Sequence, residues 1–311
     1  MATSEPPPPS IDTSPISKGR VSITPNLLSN QQVEALLEDA KGLHRNGAFV
    51  PGGLRRRKNN RDDSDMTTTT DATARICDVC GLFDDAEKAG PSVGNTDARE
   101  ELLDLMADLR ELLQIYLGIR LSEGMELQYL RYPGSSDGQS GKKKRKGFYG
   151  RHFDRDPEDK SCACRRKVSL LLYLNNDTWD AKKDGGVLRA YIRPPQMQQQ
   201  QQGTVRKRKR SSIDGKESAI THQDIIPKGG TLVLFDSASV EHEVLPTHRE
   251  RWAVVGWFLE DEDDNMASMK RKKSDAKNGS SAQHNRCHRS GEDQQQRRRK
   301  KKKRRRKGGG T

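Results

Sequence analysis

Residues 251–260 read RWAVVGWFLE, a run whose alternation decides how the rest of the chain folds. Alternate residues of a strand point to one side, so Arg251, Ala253, Val255 and Trp257 share a face. An arginine turned inward among small and aromatic residues is costly without an anion, and its planar fork is matched best by a carboxylate. Working outward, the period of two recurs in ELQYLRY (126–132) and FYGRHFD (148–154), KVSLLLYLN (167–175) is a short run dense in apolar residues, and GVLRAYI (186–192), GGTLVLFDS (229–237) and EHEVLP (241–246) continue the series. All read as short strands separated by turn residues.

Ahead of the strands the period changes to that of a helix. Ser29 or Asn30 caps a helix in which Val33, Leu36, Leu37 and Leu43 recur, with Gly47 as its stop. A second helix begins at an Asp97 cap and carries Leu102, Leu103, Met106, Leu109, Leu112, Leu113 and Tyr116 as its apolar stripe. Two helices followed by many short strands predict a mainly β protein, a barrel or double-sheet jelly roll braced by N-terminal helices.

Hydrophobic residues make up 31% of the chain and charged residues 32%, with a mean hydropathy of −0.98, so the core must lie in particular segments. Residues 1–19, rich in Pro and Ser, read as a disordered leader; 193–222, with a Gln tract and a basic cluster, as a disordered insert; 261–311 as a disordered basic tail. That leaves a single domain over 20–260. Of the net charge of +13, most resides in the unbroken basic run from Arg297 to Lys307. Such a run fits a nuclear import signal read by an import receptor, or a nucleic-acid contact, with a solubilising tail as the plainer reading. The chain has neither a secretory leader nor an apolar stretch long enough for a membrane, which points to a soluble intracellular protein, nuclear or cytoplasmic.

Chemistry enters with GRHFDRD at 150–156. His152 and Asp154, two apart on a strand, would project side by side as two thirds of a 2-His-1-carboxylate iron site. That spacing alone recurs by chance in many chains, but His242 in EHEVLP supplies a third ligand, and Arg251 follows nine residues later.

Together these residues resemble the signature of the Fe(II)- and 2-oxoglutarate-dependent dioxygenases. LHRNGAFVPGGL near 43, Tyr132-Pro133-Gly134, HFD, LYLNNDTWDAKKDGGVLR and HEVLPTHRERWAVVGWF resemble the prolyl 4-hydroxylase branch, specifically the oxygen-sensing hydroxylases acting on hypoxia-inducible factor. The resemblance spans roughly 20–260 and implies a double-stranded β-helix. It also implies His152, Asp154 and His242 as iron ligands and Arg251 as partner of the distal carboxylate of 2-oxoglutarate. Tyr173 is implied as a second partner of that carboxylate, Tyr132 as a pocket tyrosine, and Tyr149 and Trp257 as lining of the substrate cleft. The implied activity is hydroxylation of a target proline in a protein substrate, consuming dioxygen with ascorbate as reductant, and a role in the response to hypoxia. The alternatives are an oxygenase acting on another residue or on nucleic acid, and a non-catalytic binding module of the same fold. The turn with KKKRK before HFD departs from the family and would give a cationic rim favouring an acidic target. Cys77 and Cys80 invite a zinc reading, but no second CxxC exists, and His284, Cys287 and His288 would have to fold back from the tail.

Overall fold

A computed structural model describes residues 10–52, 54–55, 68–69, 74–135, 146–158, 164–192 and 221–261. Among the described residues a 3-10 turn at Ile16–Lys18 and three α-helices precede or interrupt the strands: α1 Asn30–Arg45, α2 Asp85–Ala89 and α3 Thr96–Leu117. The first strands are short: β1 Ser22–Thr24, β2 Val50–Pro51, β3 Leu54–Arg55, β4 Thr68–Thr69, β5 Arg75–Ile76 and β6 Asp78–Gly81. The main series follows: β7 Leu121–Tyr132, β8 Phe148–His152, β9 Arg166–Tyr173, β10 Leu188–Ile192, β11 Thr221–Ile225, β12 Leu232–Asp236, β13 Glu241–Val244 and β14 Arg251–Glu260.

Two antiparallel sheets result, one in the order β1-β12-β9-β14-β7-β6-β2 and one in the order β11-β10-β13-β8-β5, beside a small β3-β4 pair. Alternation divides the central strands between two cores. On β9 and β14, Val168, Leu170, Leu172, Trp252, Val254 and Phe258 pack with Val33, Leu36 and Leu43 of α1 and Leu102, Met106, Leu109 and Leu113 of α3. The intervening Leu171, Tyr173 and Ala253 face the second sheet, where they meet Leu188, Ala190 and Val244. This is the helix-braced double-sheet jelly roll that the strand pattern predicts.

Local chemistry sets the helix ends. Ser29 caps α1 with a full capping box, its hydroxyl accepting from the Gln32 amide and the Gln32 side chain accepting from the Ser29 amide. Asn95, not Asp97, caps α3 by accepting from the Ala98 amide, because the helix begins at Thr96. Tyr116 leaves the expected stripe and is 71% exposed, while Leu113 and Leu117 on the same last turns keep contact with the core. The leader expected over 1–19 is shorter than that: Thr13 and Ile16 are buried, and Ile16 joins the core beneath the helices. The insert likewise ends earlier, because Thr221–Ile225 pairs with β10. Residues 1–9, 193–220 and 262–311, including the basic run, lie outside the described residues.

One buried ion pair ties the helices to the sheet. The Asp39 carboxylate on α1 accepts from Arg99 Nε at 3.0 Å and Nη2 at 2.6 Å, from the Tyr129 hydroxyl at 2.7 Å and from the Asn95 amide at 2.7 Å. Arg99 belongs to α3 and Tyr129 to β7, so a single carboxylate holds three elements, with its oxygens fully used. Removing one member leaves a buried charge unpaired. Asp39→Ala is expected to lower stability by about 3–5 kcal/mol, and Tyr129→Phe by about 1–2 kcal/mol, in urea unfolding followed by circular dichroism. Equal small losses for both would mean that the network carries no special weight.

Candidate metal centre and anion pocket

His152 ends β8 and His242 lies opposite it on β13 in antiparallel register. Their ring centroids are 4.3 Å apart. Asp154 lies just past the strand, where a bend rather than continued pleating turns its carboxylate toward the imidazoles. His152 Nε2 is 3.5 Å from Asp154 Oδ1, and His242 Nε2 is 3.7 Å from Oδ2. The three potential ligand atoms lie within 4.8 Å of one another, a spacing that suits one metal ion with a face left open.

Backbone and hydroxyl groups aim these atoms. His152 Nδ1 lies 2.8 Å from the Gly150 carbonyl and His242 Nδ1 3.2 Å from that of Val240. With Nδ1–H donating to each carbonyl, the Nε2 lone pairs are directed at the shared point, as metal-binding histidines require. Burial pushes the His242 imidazole down to about 4, which keeps it in the neutral, ligating form. Burial by itself would raise the Asp154 carboxyl, but the imidazoles of His242 and His152 and the Ser169 hydroxyl outweigh it and hold it below the usual carboxylate range. Ser169 donates to Asp154 Oδ2 at 2.7 Å and lies 2.8 Å from the Ser237 hydroxyl. The Phe235 ring meets His242 edge-on, with centroids 4.8 Å apart.

A second feature lies between the sheets. Arg251 is completely buried, opposite Tyr132 of β7, with Ala253 two residues on paired to Tyr173 of β9. Its guanidinium carbon lies 4.8 Å from the Tyr132 ring centroid and 5.1 Å from that of Tyr173. Among the described residues, none of its three guanidinium nitrogens has a geometrically formed hydrogen bond and neither does the Tyr173 hydroxyl, although the two groups act on each other electrostatically. Burial pushes that hydroxyl up to about 12, so it is a proton donor at neutral pH. Three orphan N–H groups beside an orphan O–H, in a site without counter-charge, form a receptor for a carboxylate. Gly186 backs it at φ 66°, where an added Cβ would lie 2.9 Å from Arg251 Cδ.

The remaining predicted residues are Tyr149 and Trp257. Tyr149 stacks on His152 with centroids 3.7 Å apart, and Trp257 is buried on the inner face with the Arg166 guanidinium 3.5 Å above its ring. Cys77 and Cys80 are separate buried thiols, Cys77 in the core between the sheets and Cys80 in the core beneath the helices. Three residues apart on extended chain, they face opposite sides and cannot share a zinc ion. His284, Cys287 and His288 lie outside the described residues. By alternation Ser169 shares a face with Leu171 and Tyr173, and a serine inside so apolar a strand is the signal of a buried acceptor.

Ser169→Ala removes the direct donor to the Asp154 carboxylate. It is expected to weaken binding of a divalent metal by about 10–100-fold in a calorimetric titration, with Ser169→Thr recovering most of the loss. An unchanged affinity in the alanine variant would mean that Asp154 is held by its backbone alone.

Residues 128–259 match the model of the 2OG-Fe(II) oxygenase superfamily. Over 129 residues the chain is 30% identical to a hypoxia-inducible factor prolyl hydroxylase of Caenorhabditis elegans, a match covering 41% of this chain and 14% of that protein. Over 260 residues it is 24% identical to Egl nine homolog 1 of Mus musculus, covering 82% of this chain and 50% of that one. The chain therefore spans half or less of the length of these curated relatives. A crystal structure of a Pseudomonas putida prolyl-4-hydroxylase superposes with a TM-score of 0.51 at 26% identity, covering 77% of this chain and 92% of that chain. A prolyl hydroxylase from Trichoplax adhaerens, solved with a hypoxia inducible factor oxygen degradation domain peptide fragment, shares the fold with a TM-score of 0.52 at 19% identity, covering 82% and 89%. The matched segment contains His152, Asp154, His242 and Arg251 together, and over it the chain is similar to the 2OG-Fe(II) oxygenase superfamily and to proteins named as prolyl hydroxylases.

Proposed function

We propose that this domain is an Fe(II)- and 2-oxoglutarate-dependent dioxygenase that hydroxylates a proline in a protein substrate. The single observation that carries the reading is the pairing of an open His-Asp-His cluster with a sealed, unpaired Arg251. The cluster calls for a metal and the arginine calls for a carboxylate, and a dicarboxylic 2-oxo acid reaches both. In this reading His152, Asp154 and His242 hold the iron. Arg251 and the Tyr173 hydroxyl take the far carboxylate of 2-oxoglutarate, and Tyr132 walls that pocket. Tyr149 and Trp257 line the cleft that admits the substrate. When bound, the iron would couple oxidative decarboxylation of 2-oxoglutarate to succinate and carbon dioxide with insertion of the second oxygen atom of dioxygen into a C–H bond. The chain's own residues fix the co-substrate's orientation and keep water from the inner core.

Ascorbate is the expected reductant that keeps the iron ferrous. The basic run from Arg297 to Lys307 favours nuclear import or a phosphate-rich contact, and it is also what keeps a nucleic-acid substrate worth testing. No helix among the described residues is long and apolar enough to cross a membrane. The domain in this reading runs to about residue 260 and includes the segment from residue 10.

Anaerobic titration with Fe(II) and 2-oxoglutarate should give the visible absorption of the chelate. His242→Ala is expected to abolish it, and Arg251→Ala to raise the 2-oxoglutarate requirement by about 10–100-fold, the effect of losing a charge-assisted contact. A wild-type protein without the absorption would overturn the iron assignment. Mass spectrometry of proteins from cells with and without the enzyme should find prolines gaining one oxygen; gains confined to lysine, arginine or nucleobases would overturn the prolyl one.

A further inference from the structure

Six arginines project from the strands of the two large sheets: Arg75, Arg131, Arg151, Arg166, Arg189 and Arg251. Four of them carry a carboxylate partner. Arg131 pairs with Asp78 at 2.8 Å and Glu250 at 2.7 Å, Arg151 with Glu241 at 2.7 Å, Arg189 with Asp224 at 2.8 Å, and Arg166 with Glu126. Arg251 has none, and the sealed pocket around it accounts for that. Arg75 has none either among the described residues.

The surroundings of Arg75 differ from those of Arg251 in an informative way. Arg75 Nε donates to Cys77 Sγ at 2.7 Å, and the guanidinium carbon lies 4.6 Å from the Tyr149 ring centroid. A buried neutral thiol and a π face do not balance a full charge, although both orient the fork. Arg251 is sealed from solvent, whereas Arg75 is only partly buried. That remaining exposure is where an anion would approach Arg75. It would arrive next to the metal cluster, because Arg75 pairs in register with Tyr149, and the Tyr149 ring stacks on His152. Only one tyrosine ring separates the free guanidinium edge from a candidate metal ligand.

We propose that Arg75 determines substrate specificity, its terminal nitrogens taking the carboxylate of an acidic side chain one or two residues from the residue that is oxidised. The distance sets the register: successive Cα atoms are about 3.8 Å apart, so a residue at the metal brings only its near neighbours over the Tyr149 ring. The inference rests on the proposed oxygenase activity and adds the substrate class, an acidic peptide. The cation is spent on neither the iron nor the co-substrate, which have their own ligands.

The test is a pooled peptide library incubated with the full chain, Fe(II), 2-oxoglutarate and dioxygen. The central residue is proline, lysine or asparagine, and the flanking positions carry aspartate, asparagine or lysine. Gain of one oxygen in competition gives relative kcat/KM. Aspartate-flanked peptides should be preferred over asparagine-flanked ones by about tenfold or more, as for one charge-assisted pair. Arg75→Gln should erase the preference, Arg75→Glu should turn it toward lysine, and Arg75→Lys should keep its direction. Chelate absorption at the wild-type 2-oxoglutarate concentration confirms that each variant is folded. No flank preference in wild type, or one that survives Arg75→Gln, overturns the proposal. So does a raised 2-oxoglutarate requirement in Arg75→Gln, which would place the residue in the co-substrate pocket. Oxidation at lysine or asparagine instead of proline overturns the prolyl reading alone, since the flank comparison still reports on Arg75. A library in which nothing gains oxygen while the chelate forms overturns both.

Discussion

The rest of the molecule depends on β9 and β14 being buried on both faces. Their outer faces press Val168, Leu170, Leu172, Val254 and Phe258 against α1 and α3. At about 1.5–3 kcal/mol for each fully buried apolar side chain, those five contribute on the order of 10 kcal/mol, comparable to the whole stability of an ordinary domain. With that much secured on one side, the other side of the same strands can carry Ser169, Tyr173 and Arg251, none of which favours folding by its own burial. Structure and chemistry thus share two strands and are kept apart by the period of the pleat.

The cost of the polar face is not spread evenly. Asp39 is as deeply buried as Arg251, yet its oxygens are met by Arg99, Tyr129 and the Asn95 amide. Arg251 is left without a hydrogen-bond or carboxylate partner among the described residues. A chain able to satisfy one buried charge so completely, and leaving another bare, marks the second as a place for something from outside. The same contrast, repeated among the arginines of the sheets, separates those that hold the fold together from those that face a ligand.

Much of this was legible in the sequence where the period was long enough to read. The alternation of RWAVVGWFLE placed Arg251 inward, and that of KVSLLLYLN placed Ser169, Leu171 and Tyr173 on one face. The HxD spacing and His242 came together as the spacing and the family resemblance implied, although Asp154 reaches its place through a bend and not along a strand. What was missed has physical causes. β5 and β6 are two and four residues long, inside a polar stretch, and gain their pairing from β8 and β7 far along the chain. The Asp97 cap failed because Asn95 offers its side chain two residues earlier. Tyr116 continues the helical period, but at the end of α3 the core is met by Leu117 instead. The support of Asp154 by Ser169 and Ser237, and the bare edge of Arg75, depend on contacts between distant strands that no local pattern encodes.

The bare charge of Arg251 also bears on how long the protein survives. A group that is buried without partners penalises the folded state until its ligand arrives, and a ligand that binds only the folded chain stabilises it by about 2.7 kcal/mol at a hundred times its dissociation constant. That is enough to change the unfolded population by about a hundredfold. Proteases and chaperones draw on that population, so the abundance of this protein would rise and fall with the supply of the small dicarboxylate that fills the pocket. The metabolic state of the cell would then be recorded in how much of the protein exists, before any of it turns over a substrate.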